Sequence, residues 1–176
     1  MKGMPMKRGL TLLELIVIVV VIFILAALMI PPFEQSRRRA RVTSCASNFS
    51  QLWKLQNVYM SQFGGRLRAM PEATGQAFWK ALTTTQPPLI DASVNDIFLC
   101  PVLGTSEAGA CDYGGPAKKV STLADDAPVG ADLPDNHKEG PNDPGSGCVL
   151  RKSGDVTELV GPDWKKLVAD PLYPRP

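Results

Sequence analysis

"KRGLTLLELIVIVVVIFILAALMIPP", residues 7–32, decides how this chain is read. Two cations and a glycine lead into an apolar run, and one carboxylate, Glu14, sits just inside it. From Leu15 to Ile30 every residue is Leu, Ile, Val, Phe, Ala or Met. As a helix, Leu10 to Phe33 would rise roughly 36 Å, against a hydrocarbon core of about 30 Å. A buried helix of a globular protein would keep a polar face, and this stretch has none. The expectation is a membrane span over residues 10–32.

The kind of span follows from its flanks. A cleaved secretory signal has a shorter apolar region ending in small residues. Here Ala26-Ala27 is followed by Leu28, Met29 and, after Ile30, two prolines. A lipoprotein signal would end in cysteine, and the first cysteine is Cys45. An ordinary signal anchor would carry no acid, because a carboxylate in an apolar span costs on the order of 2–3 kcal/mol without a partner. Glu14 therefore needs a reason.

A short basic leader ending in Gly9, then "LTLLEL" and a long apolar helix, resembles the class III signal of type IV prepilins and type II secretion pseudopilins. In that family a prepilin peptidase cuts after the glycine and the new terminus is N-methylated. The resemblance implies cleavage between Gly9 and Leu10, a methylated Leu10, and Glu14 as the family's fifth-position glutamate. The family's helix proline falls on Pro31, with Pro32 beside it, as a kink. Leu10 stands where the family usually has Phe. Cleavage frees an ammonium at Leu10, one turn from Glu14, and the acid of one subunit can then pair with the terminus of its neighbour. Each charge is costly alone in an apolar core and tolerable once paired.

Lys2, Lys7 and Arg8 hold the N-terminus in the cytoplasm by the positive-inside tendency. "RRRAR", residues 37–41, pulls the other way and invites a nucleic-acid reading. Contact with lipid head groups or with acidic groups of neighbouring subunits is the plainer one. The formal charge of +2 hides an asymmetry: residues 64–176 hold 11 Lys or Arg and 15 Asp or Glu, so the C-terminal part is acidic.

Past the prolines, Val42, Cys45, Phe49, Leu52, Tyr59 and Phe63 fall in a stripe of about 100° at helical spacing. Gly64-Gly65 ends that helix. Further on, residues 72–82 read as a short helix with Phe78, Trp79 and Leu82 on its apolar side. Residues 96–102 read as a strand, and residues 147–160 as a hairpin turning at Ser153-Gly154-Asp155. Residues 104–147, rich in Gly, Pro and Asp, read as mostly irregular loop. The fold expected is α+β: a long N-terminal helix, membrane-spanning in its first half and amphipathic in its second, packed on a small antiparallel sheet with long loops. The divisions are a cleaved leader (1–9), a transmembrane or filament-core helix (10–32), its amphipathic continuation (33–63) and a globular head (64–176).

"ARVTSCASNFSQLWKLQNVYMSQFGG" (40–65), "FLCP" (98–101), "NH" (136–137) and "CVLRKSGDV" (148–156) are also similar to pilin-like proteins of planctomycete-type bacteria. This chain departs from them by inserting "KEGPNDPGS" after His137. The second resemblance supports the same fold and says little about role.

Four cysteines in an exported domain of this size read as a disulfide set. Cys100 and Cys111 enclose a short glycine-containing loop, which would leave Cys45 to join Cys148 across roughly 100 residues, contributing about 4–5 kcal/mol in the loop-entropy model. The competing set is Cys45–Cys100 with Cys111–Cys148, which the resemblance favours because the related proteins often carry only the first two cysteines. Nothing points to an enzyme: the lone His137, beside Asn136 and Asp135, reads as a turn residue bonding locally, and no phosphate loop, zinc spacing or dinucleotide fingerprint is present. Trp53, Trp79 and Trp164 read as packing residues. Calcium deserves weighing, since Asp125, Asp126, Asp132, Asp135 and Asp143 supply hard oxygens. Without EF-hand spacing, solvated loop acids are the plainer reading, and no cofactor is assigned.

The function implied is a structural subunit of a type IV pilus or type II secretion pseudopilus. The alternative is a minor tip pilin or a membrane-anchored periplasmic ligand-binding module. Implied partners are copies of the chain in a homo-oligomeric filament, other pilins or pseudopilins, prepilin peptidase, and the inner-membrane assembly platform with its ATPase. Nucleic acid is not expected. The place implied is the inner membrane in a single pass, then a periplasmic or cell-surface filament.

Overall fold

Helix α1 runs from Leu12 to Gln62. The computed structural model describes residues 11–91, 95–103, 110–137 and 145–176, with the side chains of residues 28–35 and 38 also outside the description. The chain divides into two compact units, residues 1–39 and residues 40–176.

In the first unit the helix is opened by Thr11 and Glu14. The Thr11 N–H and hydroxyl both donate to Glu14 Oε2 at 2.9 Å, and the Glu14 N–H donates back to Thr11 Oγ1 at 3.3 Å. This is a capping box, in which a Thr and the acid three residues on satisfy each other's orphan groups. The large apolar side chains from Leu12 to Leu25 are exposed, from 77% at Leu12 to 43% at Val19.

The expected membrane span is corrected here. Among the described residues, no helix is long and apolar enough to cross a membrane. The described apolar side chains, Leu12 to Ala27, rise about 24 Å at the α-helical pitch, short of a core about 30 Å thick. The single-pass inner-membrane placement, and the periplasmic or cell-surface destination that depended on it, fall with the span.

The second unit is α+β. Four antiparallel strands stand in the order β1 (Tyr113–Gly114), β2 (Pro128–Asp132), β3 (Ser146–Arg151), β4 (Val156–Val160). Helix α1 covers one face. Its residues Val42, Cys45, Phe49 and Leu52, at helical spacing, are buried in one core with Phe78, Trp79, Leu82, Val129, Cys148 and Leu150. Because side chains alternate along a strand, Val149 points the other way, into a second cluster with Ala131, Trp164 and Tyr173. Both faces of the central strands are therefore covered, which is why β2 is buried along its whole length.

Two glycines permit this close packing. A Cβ on Gly130 would lie 2.7 Å from a ring carbon of Trp79 and 3.0 Å from one of Phe49. A Cβ on Gly147 would lie 2.7 Å from two ring carbons of Trp164 on the opposite face. Trp164 is carried by α3 (Pro162–Val168), which has proline in its first turn.

The hairpin over 147–160 is present, with Gly154 at φ 94° in its turn. Helix α2 covers Gln76–Lys80, followed by a 3-10 turn through Thr83, inside the stretch read as helical. One expectation is overturned: residues 95–98 form a 3-10 turn rather than a strand over 96–102. The described part of 104–147 is mostly irregular, with the short strands β1 and β2 inside it.

Candidate functional site

The stripe of α1 that faces the sheet places Cys45 against three groups from other parts of the chain. Its Sγ lies 3.1 Å from Cys100 Sγ and 3.6 Å from His137 Nε2. Cys100 Sγ is 3.3 Å from the same nitrogen, and Asp132 Oδ2 is 3.2 Å from it. The four donor atoms, two sulfurs, a nitrogen and an oxygen, all lie within 4.8 Å of one another, and all four residues are buried.

Each side chain is held from behind. Cys100 follows the 3-10 turn, and its N–H donates to Asp112 Oδ2 at 2.8 Å. The preceding carbonyl, of Leu99, accepts from Asn48 Nδ2 at 3.2 Å and from the Tyr113 hydroxyl at 2.9 Å. Asn48 stands three residues beyond Cys45, so one turn of α1 supplies both a thiol and the clamp on the segment that brings the second thiol. Asp132 ends β2, opposite Cys148, whose N–H donates to its Oδ2 at 2.7 Å. The Tyr173 hydroxyl donates to the Asp132 carbonyl at 2.5 Å. In the turn after β2, Asn136 Nδ2 donates to the Asp112 carbonyl at 2.7 Å, next to His137.

The electrostatics are those of a shared proton in a dry site. The hydrogen bond from Cys45, with His137 adding against burial, pulls the Cys100 thiol down to about 5. The same hydrogen bond, together with burial, pushes Cys45 far up. Burial pushes Asp132 up to about 7 against the pull of His137. For His137, burial pulls downward, but the Cys100 hydrogen bond and the Asp132 charge outweigh it and the net shift is up. The imidazole and the neighbouring thiol together favour an anion in the sulfur pair, against burial.

All four cysteines are free thiols. The structure contains neither of the two disulfide sets weighed, and it places Cys45 Sγ 3.1 Å from Cys100 Sγ. Cys111 donates to the Tyr113 carbonyl at 3.4 Å, and Cys148 to the Val42 carbonyl at 3.7 Å. His137 lies in the turn after β2, but its bonding is not local: it is 1% exposed and faces Cys45 and Cys100. Of the acids weighed for calcium, Asp125 pairs with Lys152 at 3.1 Å, Asp132 belongs to this cluster, and Asp143 lies outside the described residues.

Of the residues expected to direct processing and assembly, Gly9 and Leu10 lie outside the described residues. Glu14 is placed in the capping box. Pro31 and Pro32 fall within α1, their side chains outside the description. The capping box was readable as T-x-x-E in "TLLE", residues 11–14. The buried cluster had a weaker signal: a cysteine on the apolar stripe of a helix, in a chain with a single histidine.

No protein-family model, no curated protein and no solved structure matches this chain.

Proposed function

We propose that this chain is a structural subunit that polymerises through its N-terminal helix, in the manner of type IV pilins and type II secretion pseudopilins. One observation carries the reading: residues 12–25 of α1 expose large apolar side chains all round the helix. An exposed apolar surface of that extent marks a contact surface. Burying each such side chain is worth about 1.5–3 kcal/mol. Packed parallel copies of the same helix cover every face at once, which a single groove on a partner would not. The second unit has its own core around Phe49, Trp79 and Leu150 and serves as the head of the subunit.

Glu14 has two roles in this reading. Within the chain it closes the capping box through Oε2. In the assembly its charge meets the ammonium that cleavage after Gly9 leaves on the neighbouring Leu10. Mass spectrometry of the mature protein tests the processing: the terminus should be Leu10 with one methyl group. A chain that starts at Met1, or one cut after Ala27, overturns the proposal.

A further inference from the structure

We propose that Cys45, Cys100, Asp132 and His137 form a closed tetrahedral site for a zinc-class divalent ion, which ties α1 to the sheet. The donor set is one that zinc takes: thiolate sulfur, imidazole nitrogen and carboxylate oxygen. With usual zinc bond lengths, a tetrahedron has edges of about 3.8 Å between sulfurs, 3.6 Å between sulfur and nitrogen and 3.4 Å between nitrogen and oxygen. The corresponding separations here are 3.1, 3.3 to 3.6 and 3.2 Å. These four edges need to open by no more than about 0.7 Å, and all six stay within 4.8 Å.

A second observation points to a ligand. Asp132 Oδ1 is buried and has no hydrogen-bond partner, in a residue with no exposed surface. A buried carboxylate with one oxygen left bare is costly, and a cation held at its other oxygen, Oδ2, neutralises the carboxylate's charge. A Cys45–Cys100 disulfide would neutralise both sulfurs and leave that carboxylate with less, so the ion accounts for more of the site than the disulfide does. The surroundings also suit a metal centre. The Cys148 N–H and the Tyr173 hydroxyl orient Asp132, while Asp112 and Asn48 fix the Cys100 segment. With four protein ligands, no open position and full burial, the ion would serve structure. Its four ligands come from α1, the segment after the 3-10 turn, the end of β2 and the turn beyond it. On binding, both cysteines coordinate as thiolates and the displaced thiol protons go to solvent; nothing is oxidised or reduced.

The test uses the full chain, kept reduced, stripped with a chelator and titrated with Co²⁺ and then Zn²⁺. The expected result is one ion per chain, with sulfur-to-cobalt charge-transfer absorption and the intense d–d bands of tetrahedral cobalt, both abolished by Zn²⁺. Cys100→Ser should weaken binding by more than about 100-fold and Asp132→Asn by at least about tenfold. Cys111→Ser, whose thiol donates to the Tyr113 carbonyl away from the four donors, should leave the stoichiometry and bands unchanged. Should the serine variant fail to fold, Asp132→Asn, nearly the same shape, carries the test, with near-ultraviolet circular dichroism as the check on folding. A folded, reduced wild-type chain that gives no charge-transfer band overturns the proposal. So does loss of the band in Cys111→Ser, or a Cys45–Cys100 disulfide that forms in the presence of saturating Zn²⁺.

Discussion

Replacing Gly147 by alanine tests the packing that braces Asp132 from behind the sheet. The new methyl would press on Cη2 of Trp164 and lie 2.7 Å from Cζ2 and Cζ3. That is about 1 Å inside the optimal carbon–carbon separation of 3.5–4.0 Å. Trp164 is 2% exposed, and its ring meets Tyr173 edge-on at 6.0 Å, so it has no free direction in which to retreat. Overpacking of this kind costs about 1–3 kcal/mol, and the absence of an escape route places Gly147→Ala at the upper end, about 3 kcal/mol. Trp164→Ala alone should cost about 3–5 kcal/mol through the cavity it leaves. In the double variant the methyl enters that cavity, so the total should stay within about 1 kcal/mol of Trp164→Ala alone, a coupling of at least about 2 kcal/mol. Urea unfolding followed by circular dichroism measures all three. Strictly additive costs would show that Trp164 does not lie over Gly147, and would refute the bracing of Asp132 through Tyr173.

The two roles assigned to Glu14 separate by substitution. Glu14→Gln keeps an oxygen to accept from Thr11 but removes the charge, so helix content should be retained while filament yield falls sharply; normal yield would rule out pairing with a neighbouring ammonium. Glu14→Val loses both the cap and the charge, and should fray the first turn as well as fail to assemble. In the reduced, metal-free chain, the thiolate absorbance of Cys100 should titrate with a midpoint near 5, far below the ordinary cysteine value of 9.0, because Cys45 and His137 both favour the anion. Removing the donor, as in Cys45→Ala, should move that midpoint upward, and an unmoved midpoint would contradict the shared proton.

Much of the second unit was legible because its signals are local. The buried stripe of α1 repeats at 3.6 residues, and the last hairpin turns on Gly154, whose φ of 94° suits glycine. What failed did so where local signals are ambiguous. "DIFLCPV" is a short apolar run, which periodicity alone does not assign, and hydrogen bonds from Asp112, Asn48 and Tyr113 fix it around a 3-10 turn. Strand β2 reads "PVGAD": it shows no alternation because both its faces are covered, and its glycine serves Phe49 and Trp79 rather than a turn. Glu14 was legible as an acid needing a partner. The nearest partner, Thr11, lies in the same chain, in a motif that was readable as a cap. The buried cluster was hidden by separation. Cys45, Cys100, Asp132 and His137 share no spacing motif, and only the sheet register and the Asn48 clamp bring them together.

Electron cryo-microscopy of filaments recovered from cells that make this chain tests polymerisation through the N-terminal helix. The expected result is a helical array in which residues 12–27 of neighbouring copies pack together at the axis, with each chain beginning at Leu10 and its terminus within ion-pair distance of a neighbour's Glu14. Filaments that lack this chain, or that hold it with residues 12–27 away from the contacts between copies, would contradict it.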